Sequence, residues 1–238
     1  VKKFSAMPNS SASSMTGAPW CSARNIAATA TTPLTTRPGH RVCRRSRKAV
    51  MGRAGQAAGV EGTVLVQAAP TIAETEYMLG IADATPWVRG VVGWIDMLAA
   101  DALAQVAHCA ALPLLKGLRP MLQDLDDPDW ILQPAIQPVL SAMAQAGLVF
   151  DALITPVHLP RILALTQAHP DLTVVVDHGA KPVIDAKALP AWAQAMAQLA
   201  DTTPADKVVC KMSGLWTEAS EGQPVEAVRP WCEALLAI

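Results

Sequence analysis

The stretch LTVVVDHGAKP, Leu172 to Pro182, places a carboxylate and an imidazole directly after a β-branched run. Val174 to Val176, with Leu172 before them, suit a strand buried on both faces, the kind found in α/β folds. Gly179 and Pro182 break the run, so Asp177 and His178 stand at the strand's carboxyl end, the face that carries active sites in a parallel barrel. His178 is the candidate catalytic residue; the plain alternative is a satisfied structural histidine. Strand alternation puts His178 on the face of Val174 and Val176 and Asp177 on the other, so only one of the pair is expected to face a common centre.

Two other strand ends carry comparable groups. Arg119, in KGLRPMLQ, falls on the opposite face from Lys116 and offers a guanidinium fork that can clamp a carboxylate or ring oxygen, unless it pairs with a surface acid. Lys211 and Ser213 share one face at the end of KVVCKMSG, a cation and a hydroxyl where a polarised carbonyl would lie; the alternative is a snorkelling lysine and a turn serine. These three are the candidate substrate-binding residues. Gln67, Asp96 and Asp151 are weaker candidates, because polar residues at strand ends often only cap the next helix. His158, before Leu159-Pro160, reads as structural. Trp130 and Trp216 either wall a pocket or pack in loops.

Repeated βα units are needed to bring these residues together. TVLVQ (Thr63 to Gln67), GVVGWID (Gly90 to Asp96), LLKGLRP (Leu114 to Pro120), LVFDALI (Leu148 to Ile154), the organising stretch and KVVCKMSG (Lys207 to Gly214) read as six strands. Between and after them, helices are expected over Thr71 to Asp83, Asp101 to Ala110, Gln133 to Ala146, Pro160 to His169, Leu189 to Ala200 and Val225 to Ile238. Thr71 with Glu74 forms a capping-box pattern. Strands alternating with helices indicate a parallel sheet, and no GxGxxG or Walker pattern marks a nucleotide site.

The 238 residues, 51% of them apolar, suit one α/β domain. The net charge of −1 conceals a break: residues 1–57 hold ten Lys or Arg and no acid, whereas residues 58–238 hold nine basic and twenty acidic residues. The basic segment is low in complexity and lacks periodicity, so it is expected to be disordered or to come from a shifted reading frame; a transit peptide is the other reading. Its basic tract has no interleaved aromatic residues, so no nucleic acid is expected as a partner. Five scattered cysteines without CxxC spacing indicate neither a zinc motif nor a disulfide framework and fit a cytoplasmic protein. No run approaches about 20 apolar residues, so no membrane span is expected.

Taken in order, VEGTVLVQAAPTIAETEYML, VVGWIDM, LKGLRPMLQDLDDPDWIL, LVFDALITPVHLP, VVVDHGAKP and VCKMSGLWTEA resemble the amidohydrolase-related family of sugar-lactone hydrolases, the group with L-fuconolactonase and L-rhamnonolactonase. The resemblance covers residues 58–238 and implies a TIM-type (β/α)8 barrel that opens a small-molecule sugar lactone by water attack. It places the family's strand-six histidine on His178, as catalytic group and candidate metal ligand, and its substrate arginine on Arg119. It implies a divalent metal such as zinc in intact relatives. The family's opening His-x-His and closing Gly-Ser-Asp-Trp-Pro motifs do not occur in this sequence. The expectation is therefore an incomplete barrel of about six βα units, with residues 58–238 as its domain, a fragment of the family pattern that is hydrolytically inactive as written. The alternatives are a non-catalytic sugar-acid binding protein and an interaction protein using the basic tail; the oligomeric state is left open.

Overall fold

The computed structural model describes residues 59–238, so the reading of residues 1–57 as a disordered or frame-shifted segment lies outside the described residues. Six βα units follow one another: β1 (Thr63–Val66), α1 (Ile72–Asp83), β2 (Val88–Gly93), α2 (Ala102–Ala110), β3 (Leu115–Leu118), α3 (Gln137–Gln145), β4 (Val149–Ala152), α4 (Leu159–Ala168), β5 (Val174–Val176), α5 (Leu189–Thr202), β6 (Val208–Cys210) and α6 (Arg229–Ala237). All neighbours pair in parallel, in the order β1 to β6. The sheet is the curled half of a barrel, as the alternation of strands and helices predicts.

Burial alternates along the strands, and this defines two faces. Phe150, Val174, Val176 and Val208 are fully buried. They pack with Leu140, Met143, Ile162, Leu165, Met196 and Leu199 of the helical layer in one hydrophobic cluster. Val149, Val175 and Val209 are only half-buried. Register pairs Val175 with Asp151 on β4 and with Val209 on β6, so these residues share the concave face. The helices cover the convex side, and the polar residues at the strand ends belong to the concave side.

Several elements are shorter than expected. Helix α3 starts at Gln137, after a 3₁₀ turn at Trp130–Leu132, because Pro134 and Pro138 confine the α segment. The last helix likewise begins at Arg229, after a 3₁₀ turn at Val225–Val228. At the start of α1 the Thr71 hydroxyl accepts from the Glu74 amide at 3.2 Å, which is half of the expected capping box. The Glu74 carboxylate instead accepts from the amides of Ala68 and Ala69, and so ties the β1–α1 loop to the helix. No described helix is long and apolar enough to cross a membrane.

The closest backbone approach lies at Gly117, where a Cβ would meet the Val149 carbonyl oxygen at 2.5 Å, an atom that cannot rotate away. Replacing Gly117 by alanine should force β3 from β4 and destabilise the fold by about 1–3 kcal/mol. Urea denaturation midpoints check this, and an unchanged midpoint would refute the tight β3–β4 contact.

Candidate active site

Three of the six strands stop one residue short of a charged side chain. β3 ends at Leu118 and Arg119 follows; β5 ends at Val176 and Asp177 follows; β6 ends at Cys210 and Lys211 follows. Asp151 lies within β4, and Gln67 follows β1. Alternation turns these side chains to the concave face, where they form a buried polar layer across five strands.

The layer is a connected network. Arg119 Nη1 donates to Asp177 Oδ2 at 3.0 Å, and Arg119 Nη2 donates to the Gln67 carbonyl. Gln67 Nε2 donates in return to the Arg119 carbonyl at 2.8 Å. Lys211 Nζ donates to both Asp151 oxygens, at 3.0 and 2.7 Å, and its ammonium also contacts Asp177 Oδ1. Two cations thus meet two buried carboxyl groups, Lys211 itself keeping 16% of its side chain exposed. Burial pushes the Asp151 carboxyl up to about 7, although Lys211 pulls it down. Burial alone would also raise Asp177, but Lys211, a hydrogen bond from Asp151 and Arg119 outweigh it and hold that carboxyl below the usual range. Burial pulls Lys211 down, yet the two aspartates reverse this and keep it a cation.

This arrangement changes the expected part of Arg119. The side chain is 2% exposed and both terminal nitrogens serve protein acceptors, so it anchors Asp177 instead of standing open as a clamp. Its Nε is the one nitrogen left without a partner. Asp177 and Asp151 are the residues that the sequence undervalues: alternation puts Asp177 on the Val175 face, yet His178 is expected to be the member of the pair that faces the centre, and Asp151 ranks only as a weaker candidate.

His178 also departs from the expected alternation. From His178 to Lys181 the backbone is left-handed, with φ of +53°, +62°, +61° and +48°, so the strand's period ends at Asp177. Asp177 faces the network, and the turn brings the imidazole round to β6, where Nδ1 lies 3.0 Å from Ser213 Oγ. The turn is pinned: the Gly179 amide donates to the Lys211 carbonyl at 3.1 Å, and Trp192 Nε1 donates to the Gly179 carbonyl at 2.8 Å. Burial lowers the His178 pKa, and Lys211 and Arg119 lower it further against the opposing pull of Asp177 and Ser213. Ser213 thus meets His178, while Lys211 sits behind them between the aspartates.

At the rim, Lys181 Nζ donates to Gln123 Oε1 at 2.9 Å and lies 3.6 Å from Glu218, which links the loops after β3, β5 and β6. Trp216 is 45% exposed, whereas Trp130 packs against the core. His158 is buried with Nδ1 against Thr155, in the structural role expected of it. Burial pushes the Cys210 thiol up to about 12, which removes it as a thiolate nucleophile. A divalent ion does not fit the described residues. Among the described residues no group of three His, Cys, Asp or Glu converges, and Asp151 and Asp177 already face cations. As a metal ligand His178 therefore lacks companion donors among the described residues.

Comparison with known proteins places this geometry in context. The sequence model of the family described as Amidohydrolase matches residues 44–238, beginning before the compositional break. The chain is 46% identical over 177 residues to an L-fucono-1,5-lactonase of Burkholderia ambifaria, covering 74% of this chain and 60% of that protein. It is 34% identical over 163 residues to an L-fucono-1,5-lactonase of Burkholderia multivorans, covering 66% of this chain and 54% of that protein. The chain thus spans three fifths or less of the length of these curated relatives. Among solved structures, an amidohydrolase from Burkholderia multivorans, determined with bound HEPES and with bound zinc, superposes with a TM-score of 0.72 at 28% identity, over 79% of this chain and 68% of that one. A probable 2-pyrone-4,6-dicarboxylic acid hydrolase from Acinetobacter baumannii shares the fold, with a TM-score of 0.63 at 16% identity, over 78% of this chain and 66% of that one.

Two measurements test the network. Lys211→Met leaves two buried carboxyl groups without their shared cation and should cost about 3–5 kcal/mol in urea denaturation. Asp151 has a folded pKa of about 7 against 3.8 for the unfolded group, so its contribution is complete below pH 3.8 and is lost as pH rises through about 7. Asp177, depressed, contributes in the opposite sense, above the unfolded value. Asp151→Asn should therefore flatten the fall in stability across that window; an unchanged slope would show that Asp151 does not titrate there.

Proposed function

The chain belongs to the amidohydrolase family, and from that premise we propose, in place of the inactivity expected from the missing motifs, that it opens sugar lactones by adding water, using His178 at the carboxyl-end mouth of the half-barrel. The observation that carries this reading is the 46% identity to an L-fucono-1,5-lactonase over 177 residues, 74% of this chain. We assign the work to residues 58–238.

In this reading the neutral His178 accepts a proton from water at Nε2 while the water oxygen bonds to the lactone carbonyl carbon and the carbonyl electron pair moves onto its oxygen. The Lys211 ammonium and the unpartnered Arg119 Nε supply the positive field that favours the developing oxyanion. Collapse of the tetrahedral species breaks the ring C–O bond, and the proton held by His178 passes to the leaving alkoxide. One water is added and an open hydroxy acid results. Ser213 keeps the imidazole in place, and the exposed Trp216 offers an apolar face beside the mouth. Each step uses groups of this chain and none runs through a metal ion.

Proton release from L-fucono-1,5-lactone, followed with the full chain and with His178→Gln, tests the reading. The substitution should lower the rate by about 10²- to 10⁴-fold. The rate of the unaltered chain should fall at acid pH, as His178 becomes protonated. Saturable binding of the open sugar acid without lactone turnover would favour the sugar-acid binding protein instead, and an unaffected His178→Gln variant would remove His178 from the mechanism.

A further inference from the structure

Lys181 closes the left-handed turn that begins at His178, yet its side chain reaches well beyond that turn. Nζ donates to Gln123 Oε1 at 2.9 Å in the loop after β3 and lies 3.6 Å from Glu218 Oε1 in the loop after β6. In the sheet β3 and β6 flank β4 and β5, so the ammonium that joins their loops stands over the strand ends at the mouth. The Gln123 amide donates to the Leu153 carbonyl at 3.1 Å, which fixes the β3 loop to the end of β4. Lys181 and Glu218 are 24% and 23% exposed, so they are held by the fold and still open to a ligand.

The cations below the rim are committed, Arg119 to Asp177 and Lys211 to both aspartates. Lys181 keeps more capacity. An ammonium carries three N–H donors; Gln123 takes one, and the distance to Glu218 is too long for a direct hydrogen bond. Glu218 Oε1 accepts from Thr217 Oγ1 at 3.2 Å, and a carboxylate has further lone pairs. An alcohol set between the two accepts from Nζ and donates to Glu218, whereas an anion would meet the carboxylate's repulsion.

We propose that Lys181, Glu218 and Gln123 form a subsite for the ring hydroxyls of a sugar, so that the mouth selects polyhydroxylated lactones over plain cyclic esters. This deepens the lactone-opening reading and rests on it for the use of the subsite in turnover, while recognition of a sugar ring stands on the rim geometry. Lys181 thereby takes the substrate-binding part that the sequence assigns to Arg119. Because the ion pair carries no net charge, the ligand it suits is a neutral polyol.

Titration calorimetry of the full chain with L-fucose, a pyranose that has ring hydroxyls and no ester carbonyl, tests the subsite. Saturable binding is expected, weakened about 10- to 100-fold in Lys181→Met and in Glu218→Gln, as for the loss of a hydrogen bond to a charged group. Urea denaturation checks that each variant folds, and Gln123→Leu serves as the comparison if either of the others does not. The preference in kcat/KM for L-fucono-1,5-lactone over δ-valerolactone, a cyclic ester without hydroxyls, should shrink by a similar factor. Absence of saturable L-fucose binding, or an unchanged affinity in the folded variants, overturns the proposal. Binding of L-fucose that depends on Lys181 and Glu218, without lactone turnover, would sink the proposed activity and leave the subsite standing. Turnover with the same substrate preference in the variants would do the reverse.

Discussion

A lysine ammonium enclosed among strand ends stays charged only where carboxylates replace the water it has lost. Lys211 meets that condition through Asp151 and Asp177, and the requirement spreads outward. Asp177 in turn draws in Arg119, and Arg119 exchanges hydrogen bonds with Gln67, so one buried charge fixes the ends of β1, β3, β4, β5 and β6 relative to one another. The hydrophobic cluster under the helices supplies the driving force for folding. The network adds a condition on register: shifting any of these strands by one residue would turn its charged group into the apolar layer.

The valines prepare this geometry. Val174 and Val176 seal against the helices while Val175 faces the concavity, and the same division holds for Phe150 against Val149 and for Val208 against Val209. A polar residue placed one step after a strand of this pattern points inward without special support. The apolar pattern thus decides where the charged layer can form.

Much of this was legible in the sequence because it follows from local pattern. The six strands, their order and the polar residues Arg119, His178, Lys211 and Ser213 at their ends follow from β-branched runs that break at Gly and Pro. What was not legible depends on partners far apart in the chain. Lys211 and Asp151 are 60 residues apart and Arg119 and Asp177 are 58 apart, so no window of sequence shows that the lysine neutralises two aspartates or that the arginine is consumed internally. The place of His178 is hidden for a different reason: strand alternation stops at Asp177, at a turn whose left-handed backbone is announced only by Gly179. The Glu74 carboxylate shows the same limit on a smaller scale, since it caps the β1–α1 loop amides in preference to the amide of Thr71.

The turn after β5 has a consequence for how this protein can change over time. Three residues with side chains, His178, Ala180 and Lys181, occupy backbone conformations in which an L-residue is disfavoured by about 1–2 kcal/mol relative to glycine. Glycine at Ala180 would relieve part of this and leave the charged groups untouched. Yet the same freedom would loosen the arc that carries the imidazole from β5 to its seat on β6. Mutational drift toward a more robust fold and selection for a fixed histidine therefore pull on these four residues in opposite directions. Thermostabilised variants of this chain should be sought among substitutions elsewhere on the scaffold, with 178–181 left as it is.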